Sequence, residues 1–458
     1  MSRKLSIPAV AEPLVSAIRQ ARIFTQPTFP RFICLMACLI VTMGRRTVSR
    51  ALKVMGPLLE GHWSNYHRIY SQARFCMWSL AAVLVRQVVA LLPADAPIIL
   101  VADDTVDGKQ GDQVWARSAH RDSVRSSRGR DQMKFGHKWL VLCVLAQVPG
   151  IERPWALPVL CGLCLSERVA TKLKRRPKTP SQLARQLLMR LMRWMPQRKF
   201  ILIGDYQVVT HQTAEFARRH ADRVTAIGRL REDANFYAPP ANPHRRSRAG
   251  GLVRKGRKLP SPHARIDQLK AVCKKVRWYG NSQRSIKFVS ETVLWYHKHG
   301  SAVTPIRWVC VLGNKKQDLE NAYFYSSDAT MTPQRIIELY ASRWNIEVTF
   351  EETRALLGLE TTRHWCRRSV LRVTPLIFAL FTVVTLLWSN LPRCKRRCQS
   401  DTPCYTKRTL TFADALFAVR SELWRQSLLV RHRSQERCLT ALPRPLRQTV
   451  LWHLAAAA

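Results

Sequence analysis

Apolar residues recur every three or four positions through the first ninety residues. Arg31 to Met43, Thr47 to Leu59 and Ser71 to Leu92 each read as helices with one buried stripe. Between the first two, Gly44 to Leu52 offers a Gly turn, a Thr cap and a basic first turn, which suits either a phosphate backbone or an ordinary solvated helix end. The period changes at Ala96. Ala96 to Ala102 is a continuous apolar run ending in Asp103-Asp104-Thr105, the pattern of a buried strand with acids at its C-terminal end. Trp139 to Val148 and Trp155 to Leu165 are two further strand-like runs. Thr179-Pro180-Ser181 opens a capped helix whose stripe is Leu183, Leu187, Leu188, Leu191 and Trp194. Phe200 to Gly204 is a second buried strand and ends in Asp205. A helix over 209–220 and a strand from Val224 to Leu230 follow. Alternating strands and helices predict an α/β core.

Residues 238–262 break the pattern with a Pro-, Gly- and Arg-rich basic loop that includes Arg254, Lys255, Arg257 and Lys258. Short strand-like runs that interleave bases and aromatics come next: Arg277-Trp278-Tyr279, Trp295 to Lys298 and Arg307-Trp308. They read as an antiparallel β module inserted in the core. A single long helix is expected from Pro333 to Leu357, and the rest is helical apart from a cysteine-bearing loop at 390–408. The expected organisation is a helical DNA-binding region at 1–92, a core in two parts at 93–235 and 333–390, the basic loop and β insertion at 236–332, and a helical C-terminal region at 391–458 suited to dimerisation.

Composition narrows the function. Lys and Arg number 75 against 30 Asp and Glu, a net charge of +45, while 47% of residues are hydrophobic. The apolar share supports a packed core, and self-repulsion at this charge calls for a polyanionic partner, which points to nucleic acid. The 13 cysteines are odd in number and lie mostly in apolar runs, as expected in a reducing cytosol. Neither Cys161-x-x-Cys164 nor the group Cys394, Cys398 and Cys404 matches a standard zinc spacing. The N-terminus carries no apolar signal region. Ile33 to Met43 and Val373 to Trp388 are too short to span a bilayer, so both are expected to be buried helices.

In a chain so short of acids, Asp at the ends of two buried strands needs a compensating charge. Mg²⁺ takes hard oxygen ligands, and two such ions can activate an attacking hydroxyl and stabilise a leaving oxygen in phosphodiester chemistry. On the helix after the insertion, Tyr340, Arg343, Glu347 and Arg354 fall at about 0°, 300°, 340° and 320°, one stripe roughly 60° wide. A Glu between two Arg suits a metal ligand flanked by phosphate clamps. Glu351 is a rival for the same role. Asp103 and Asp104 point to opposite faces of a strand, so only one can join the site. Asp107 is a third choice. Trp278, Trp295 and Trp308 can serve either as core or as platforms for an unstacked base.

Tyr340, Arg343 and Glu347, with Arg354 in place of Lys, stand at the spacing of a YREK signature. Together with Asp104-Thr105 and Asp205 they make the chain resemble a bacterial insertion-sequence transposase of the DDE class, in its cut-and-paste branch. The Thr after Asp104 favours Asp104 as the first acid. The resemblance spans 30–440 and implies an RNase H-like mixed-sheet core with a β insertion. It implies Asp104, Asp205 and Glu347 as catalytic metal ligands for two Mg²⁺ or Mn²⁺ ions, with Tyr340, Arg343 and Arg354 on DNA phosphates. The implied reaction is hydrolysis at the element's inverted repeats and transfer of the 3′-hydroxyl strands to target DNA. A homodimer or larger assembly would act on paired double-stranded ends in the bacterial cytoplasm, at the nucleoid and not at a membrane. The alternatives are a catalytically inactive DNA-binding relic and a stand-alone RNase H-like nuclease.

Overall fold

The computed structural model describes residues 8–430, apart from 56–58, 60, 123–125, 127–128, 243, 245, 247–251, 298–301, 314–319, 397–400, 403–404 and 408, together with 443 and 446. Five helices open the chain: α1 (Glu12–Gln20), α2 (Thr28–Val41), α3 (Val48–Met55), α4 (Ser64–Ser71) and α5 (Met77–Val89). Of the expected helix Ser71–Leu92, Ser71 closes α4 and the rest begins only at Met77, as α5. The turn between them is held from outside: the buried Arg372 guanidinium donates to the carbonyls of Ile69 (2.9 Å), Tyr70 (3.3 Å) and Ala73 (2.8 Å). Arg46, in the basic turn before α3, is also buried, and donates to the carbonyls of Gly44 and Leu356. Of that turn's bases, Arg45 and Arg50 are the exposed ones.

The core follows: β1 (Ile98–Gly108), β2 (Ser118–Arg121), β3 (Met133–Ala146), β4 (Trp155–Cys164), α6 (Glu167–Lys172), α7 (Pro180–Trp194), β5 (Phe200–Gly204), α8 (His211–Arg219) and β6 (Val224–Arg229). β1, β3 and β4 form an antiparallel meander, and β5 then β6 lie parallel on the other side of β1. The order β4-β3-β1-β5-β6, with helices on both faces, is a mixed RNase H-like sheet. β1 runs six residues past the apolar stretch, because β3 stays paired with it from Leu100–Val144 to Gly108–Gly136. The acids therefore lie within the strand and not beyond it. α7 begins as its pattern predicts: Thr179 and Gln182 form a capping box and Pro180 fills the first position.

The insertion comprises β7 (Phe236–Tyr237), α9 (Pro262–Arg265), β8 (Val272–Arg277), β9 (Gln283–Trp295), β10 (Thr304–Val311) and β11 (Ala322–Ser326). It continues the core sheet, since β11 pairs antiparallel with β6 to give 11 strands in one sheet. Trp308 is wholly buried, and the half-buried Trp295 packs against the core between His211 (4.7 Å) and Tyr325 (4.9 Å).

The chain ends with α10 (Pro333–Ala341), α11 (Trp344–Leu357), α12 (Arg367–Ser389), the short β12 (Asp401–Thr402) and β13 (Tyr405–Thr406), and α13 (Phe412–Val430). α12 is the one described helix long and apolar enough to cross a membrane, and 78% of its apolar stretch is buried in protein. It packs on β4, α4, α5, α11 and α13. Its threonines are spent on core hydrogen bonds, as when Thr382 donates to the Pro158 carbonyl at 2.7 Å.

Candidate active site

Strand register brings the first two acids level. Ala102 pairs with Gly204 across the parallel β1–β5 ladder, and one residue further along stand Asp103 and Asp205. Gly204 permits the tight turn there, because a Cβ would lie 2.9 Å from Val208 and Val209 side-chain atoms. Asp205 Oδ1 accepts from the backbone N–H groups of Gln207 and Val208, both at 3.0 Å.

Alternation along β1 puts Asp103, Thr105 and Asp107 on one face and Asp104 on the other. The Asp103 face receives α11, which packs on β1 and β4, while α7 packs on β3 and β4. Gly162, level with Leu140 and hence with Asp104, faces Leu183 of α7. The opposite face thus belongs to Asp104.

The helix carrying the signature is broken, contrary to the expectation of one long helix. α10 ends at Ala341 and α11 starts at Trp344, with the junction tightened to three-residue hydrogen bonds, such as Arg343 N–H to Tyr340 O at 3.0 Å. Side chains compete with the backbone here: Ser342 Oγ donates to Leu339 O at 2.6 Å and Asn345 Nδ2 to Ser342 O at 2.9 Å. Gly358, at φ +67°, then ends α11 in the left-handed region.

Tyr340 stays beside the others: its ring is buried against Phe324 at 4.3 Å, and the Arg343 guanidinium lies 5.9 Å from the ring centre. Arg343, Glu347 and Arg354 keep a common face, and it meets β1. Arg343 spans two carboxylates, donating to Asp103 Oδ2 at 2.5 Å and Glu347 Oε1 at 2.6 Å. Arg354 donates to Thr105 Oγ1 and, at 3.2 Å, to Glu360, which also takes Lys134 at 2.7 Å. Asp104 instead pairs with Lys138 at 3.0 Å. The resemblance implies Asp104 as the first acid, whereas the structure turns Asp103 to the Glu helix; the pleat separates the two, and the Thr after Asp104 does not tell which face α11 covers. Asp107 is fully buried on Lys109 (2.9 Å) and Thr374 (2.6 Å), and Glu351 is exposed.

Burial, with Asp205 and Asp104 nearby, pushes the Asp103 carboxyl up to about 7 against the pull of Arg343. Asp104 is raised as well, by burial and Asp205, with Lys138 opposing. A cluster of half-buried carboxylates, with oxygen donors only, fits a hard divalent cation. Arg343 supplies part of the balancing charge.

Aromatics rim the site. Trp344 is 48% exposed, with its ring 5.9 Å from that of Tyr279, and Tyr206 beside Asp205 is exposed too. The sequence reading named Tyr279 in the Arg277-Trp278-Tyr279 run but gave no role to Trp344 or Tyr206, whose places directly after Arg343 and Asp205 were the available signal. In the basic loop, Arg254, Arg257 and Lys258 are exposed, but Lys255 sits over the rings of Tyr237 (4.4 Å) and Tyr296 (3.8 Å).

Residues 22–285 match the family model of the DDE superfamily endonucleases. The chain belongs to that family. Residues 290–389 match a second model, described as "Archaeal putative transposase ISC1217". Among solved structures, the chain is similar to piggyBac transposase in a cryo-EM synaptic complex with hairpin DNA. The identity is 11%, the match covers 99% of this chain and 79% of that one, and the TM-score is 0.43. No curated protein matches the chain.

Proposed function

We propose that this DDE protein is a DNA transposase that cuts the ends of its own insertion sequence and joins the 3′-hydroxyl strands to target DNA. The observation that carries the reading is the guanidinium of Arg343 bridging Asp103 and Glu347, with Asp205 level with Asp103 on the adjacent strand. Asp103, Asp205 and Glu347 are the proposed catalytic carboxylates and would hold two Mg²⁺ or Mn²⁺ ions. Such a pair, when bound, supplies nucleophile activation and leaving-group stabilisation.

The chain's own residues do the rest. Arg343 balances Asp103 and Glu347 and, once freed of them, matches a phosphate bidentately. Arg354 braces the Glu helix against β1 through Thr105. Arg254, Arg257 and Lys258 add phosphate contacts whose strength falls steeply with salt. Trp344 and Tyr279 offer faces for a base unstacked at the cut end. Two or more copies on paired ends would complete the assembly, in the bacterial cytoplasm where the DNA lies.

The test is plasmid excision. A marker is placed between the coding region's native flanks, and wild type or Glu347→Gln is expressed in trans. Excision by wild type alone supports the reading, provided Glu347→Gln still binds the flanks within a few-fold. Excision by both proteins, or by neither with no binding to the flanks, contradicts it.

A further inference from the structure

The acid-bearing face of β1 ends in a second polar group that the proposed chemistry does not use. Asp107 (β1), His137 (β3) and His364 (the loop between α11 and α12) are all buried, and one ligand atom from each lies within 4.8 Å of the others. His137 Nε2 lies 2.8 Å from the Trp115 carbonyl. A proton on Nε2 makes that bond and leaves the Nδ1 lone pair free, and Nδ1 has no hydrogen-bond partner. Neither nitrogen of His364 has a partner. Burial, with Lys109 adding to it, holds His364 down at about 3, and burial lowers His137 as well. The unpartnered ring nitrogens and the Asp107 carboxylate share one buried space.

Orphaned nitrogens in a dry core are costly, and two neutral imidazoles plus a carboxylate are a donor set for zinc-class ions. The outer contacts are those of a metal site. Trp115 O orients the His137 ring, and Thr374 Oγ1 donates to Asp107 Oδ2 at 2.6 Å, leaving Oδ1 for the cluster. Three atoms 4.8 Å apart have a centre about 2.8 Å from each, so reaching zinc bond lengths of about 2.1 Å needs shifts of about 0.7 Å. Lys109 Nζ now pairs with Asp107 Oδ1 at 2.9 Å. It also donates to Thr362 Oγ1 (3.2 Å), Thr362 O (3.3 Å) and Leu359 O (3.4 Å), which can retain it when Asp107 turns to a metal.

We propose that Asp107, His137 and His364 form a structural site for Zn²⁺ or a similar transition-metal ion, separate from the acid cluster. The site would pin the loop after α11 to β1 and β3, and so fix the Glu347 helix against Asp103.

The test uses the full chain with Asp103→Asn and Glu347→Gln, which disable the acid cluster. The metal-free protein is titrated with Zn²⁺, and with Co²⁺ as a visible probe. One equivalent of Zn²⁺ lost on His364→Ala, a rise in melting temperature with Zn²⁺ that the variant lacks, and at least tenfold tighter binding by Lys109→Met are expected. The Co²⁺ form should show a four-coordinate visible band without the near-ultraviolet thiolate band of a cysteine site. Equal Zn²⁺ uptake and equal melting shifts with and without His364 overturn the proposal. Binding by Lys109→Met alone overturns it too, assigning the cluster to the lysine. Should His364→Ala fail to fold, absence of the visible Co²⁺ band from the parent protein is the contradicting result.

Discussion

Asp103 carries a prediction that separates it from an ordinary surface acid. Its carboxyl is pushed up to about 7 by burial and by Asp205 and Asp104, even with Arg343 against it, where an unperturbed Asp would sit at 3.8. To ligate a divalent ion it must lose that proton, so affinity falls as pH falls. At pH 5.5, about 3% of a group titrating at 7 is ionised, and at pH 8.5 about 97%. Mn²⁺ binding should therefore weaken roughly 30-fold across that range, about 2 kcal/mol. An acid titrating at 3.8 would change by only a few per cent.

Stability follows the same linkage. A carboxyl raised on folding contributes stability that is full below its unfolded value near 4 and is lost as pH rises through 7. Mn²⁺ should accordingly raise the melting temperature most above pH 7. The assay is the electron paramagnetic resonance signal of free Mn²⁺, titrated with protein at pH 5.5, 7.0 and 8.5 for wild type and Asp103→Asn. The variant should bind weakly and without the pH dependence. Wild-type affinity that is flat over this range would refute a buried, proton-holding Asp103 at the metal.

Three further outcomes follow from named contacts. Arg354→Ala removes the link from α11 to Thr105 and half of the clamp on Glu360. Stability should fall by under about 1 kcal/mol, since the side chain is 37% exposed, while the cleavage rate falls at least tenfold; unchanged cleavage would show the brace to be idle. Replacing Arg254, Arg257 and Lys258 with Ala should weaken binding to all duplexes and reduce the slope of log affinity against log salt by up to about 2.7; an unchanged slope would mean these bases do not reach phosphate. Trp344→Ala should slow end cleavage yet leave duplex binding within about twofold, with 2-aminopurine at the terminal position reporting loss of stacking. Equal fluorescence in both proteins would remove the base-stacking role.

Much of this molecule is legible in its sequence. The apolar runs Ala96–Ala102, Trp139–Val148, Trp155–Leu165 and Phe200–Gly204 fall on β1, β3, β4 and β5, because continuous burial leaves an unambiguous signal. The face shared by Arg343, Glu347 and Arg354 follows from helical periodicity alone. Three features were hidden because they depend on distant partners. The pairing of β1 with β3 carries the strand past Asp104, and strand parity then decides which Asp meets the helix. The break at Ser342 is set by local side-chain bonds that override helical propensity. Trp295 and Trp308, bracketed by bases, leave the core and platform readings both open until β9 and β10 are seen to extend the core sheet. The polar alternation Asp103-x-Thr105-x-Asp107 was a usable clue: three polar residues at strand spacing require polar partners opposite, which Arg343 and Arg354 supply to the first two and Lys109 and Thr374 to the third.

The most direct test of the account is Mg²⁺-dependent cleavage of DNA carrying the element's end by wild type, Asp103→Asn and Asp104→Asn, with binding measured in parallel. The account predicts that Asp103→Asn binds the end but does not cut it, and that Asp104→Asn, which loses only the Lys138 pair, cuts within about tenfold of wild type. A dead Asp104→Asn beside an active Asp103→Asn would contradict it.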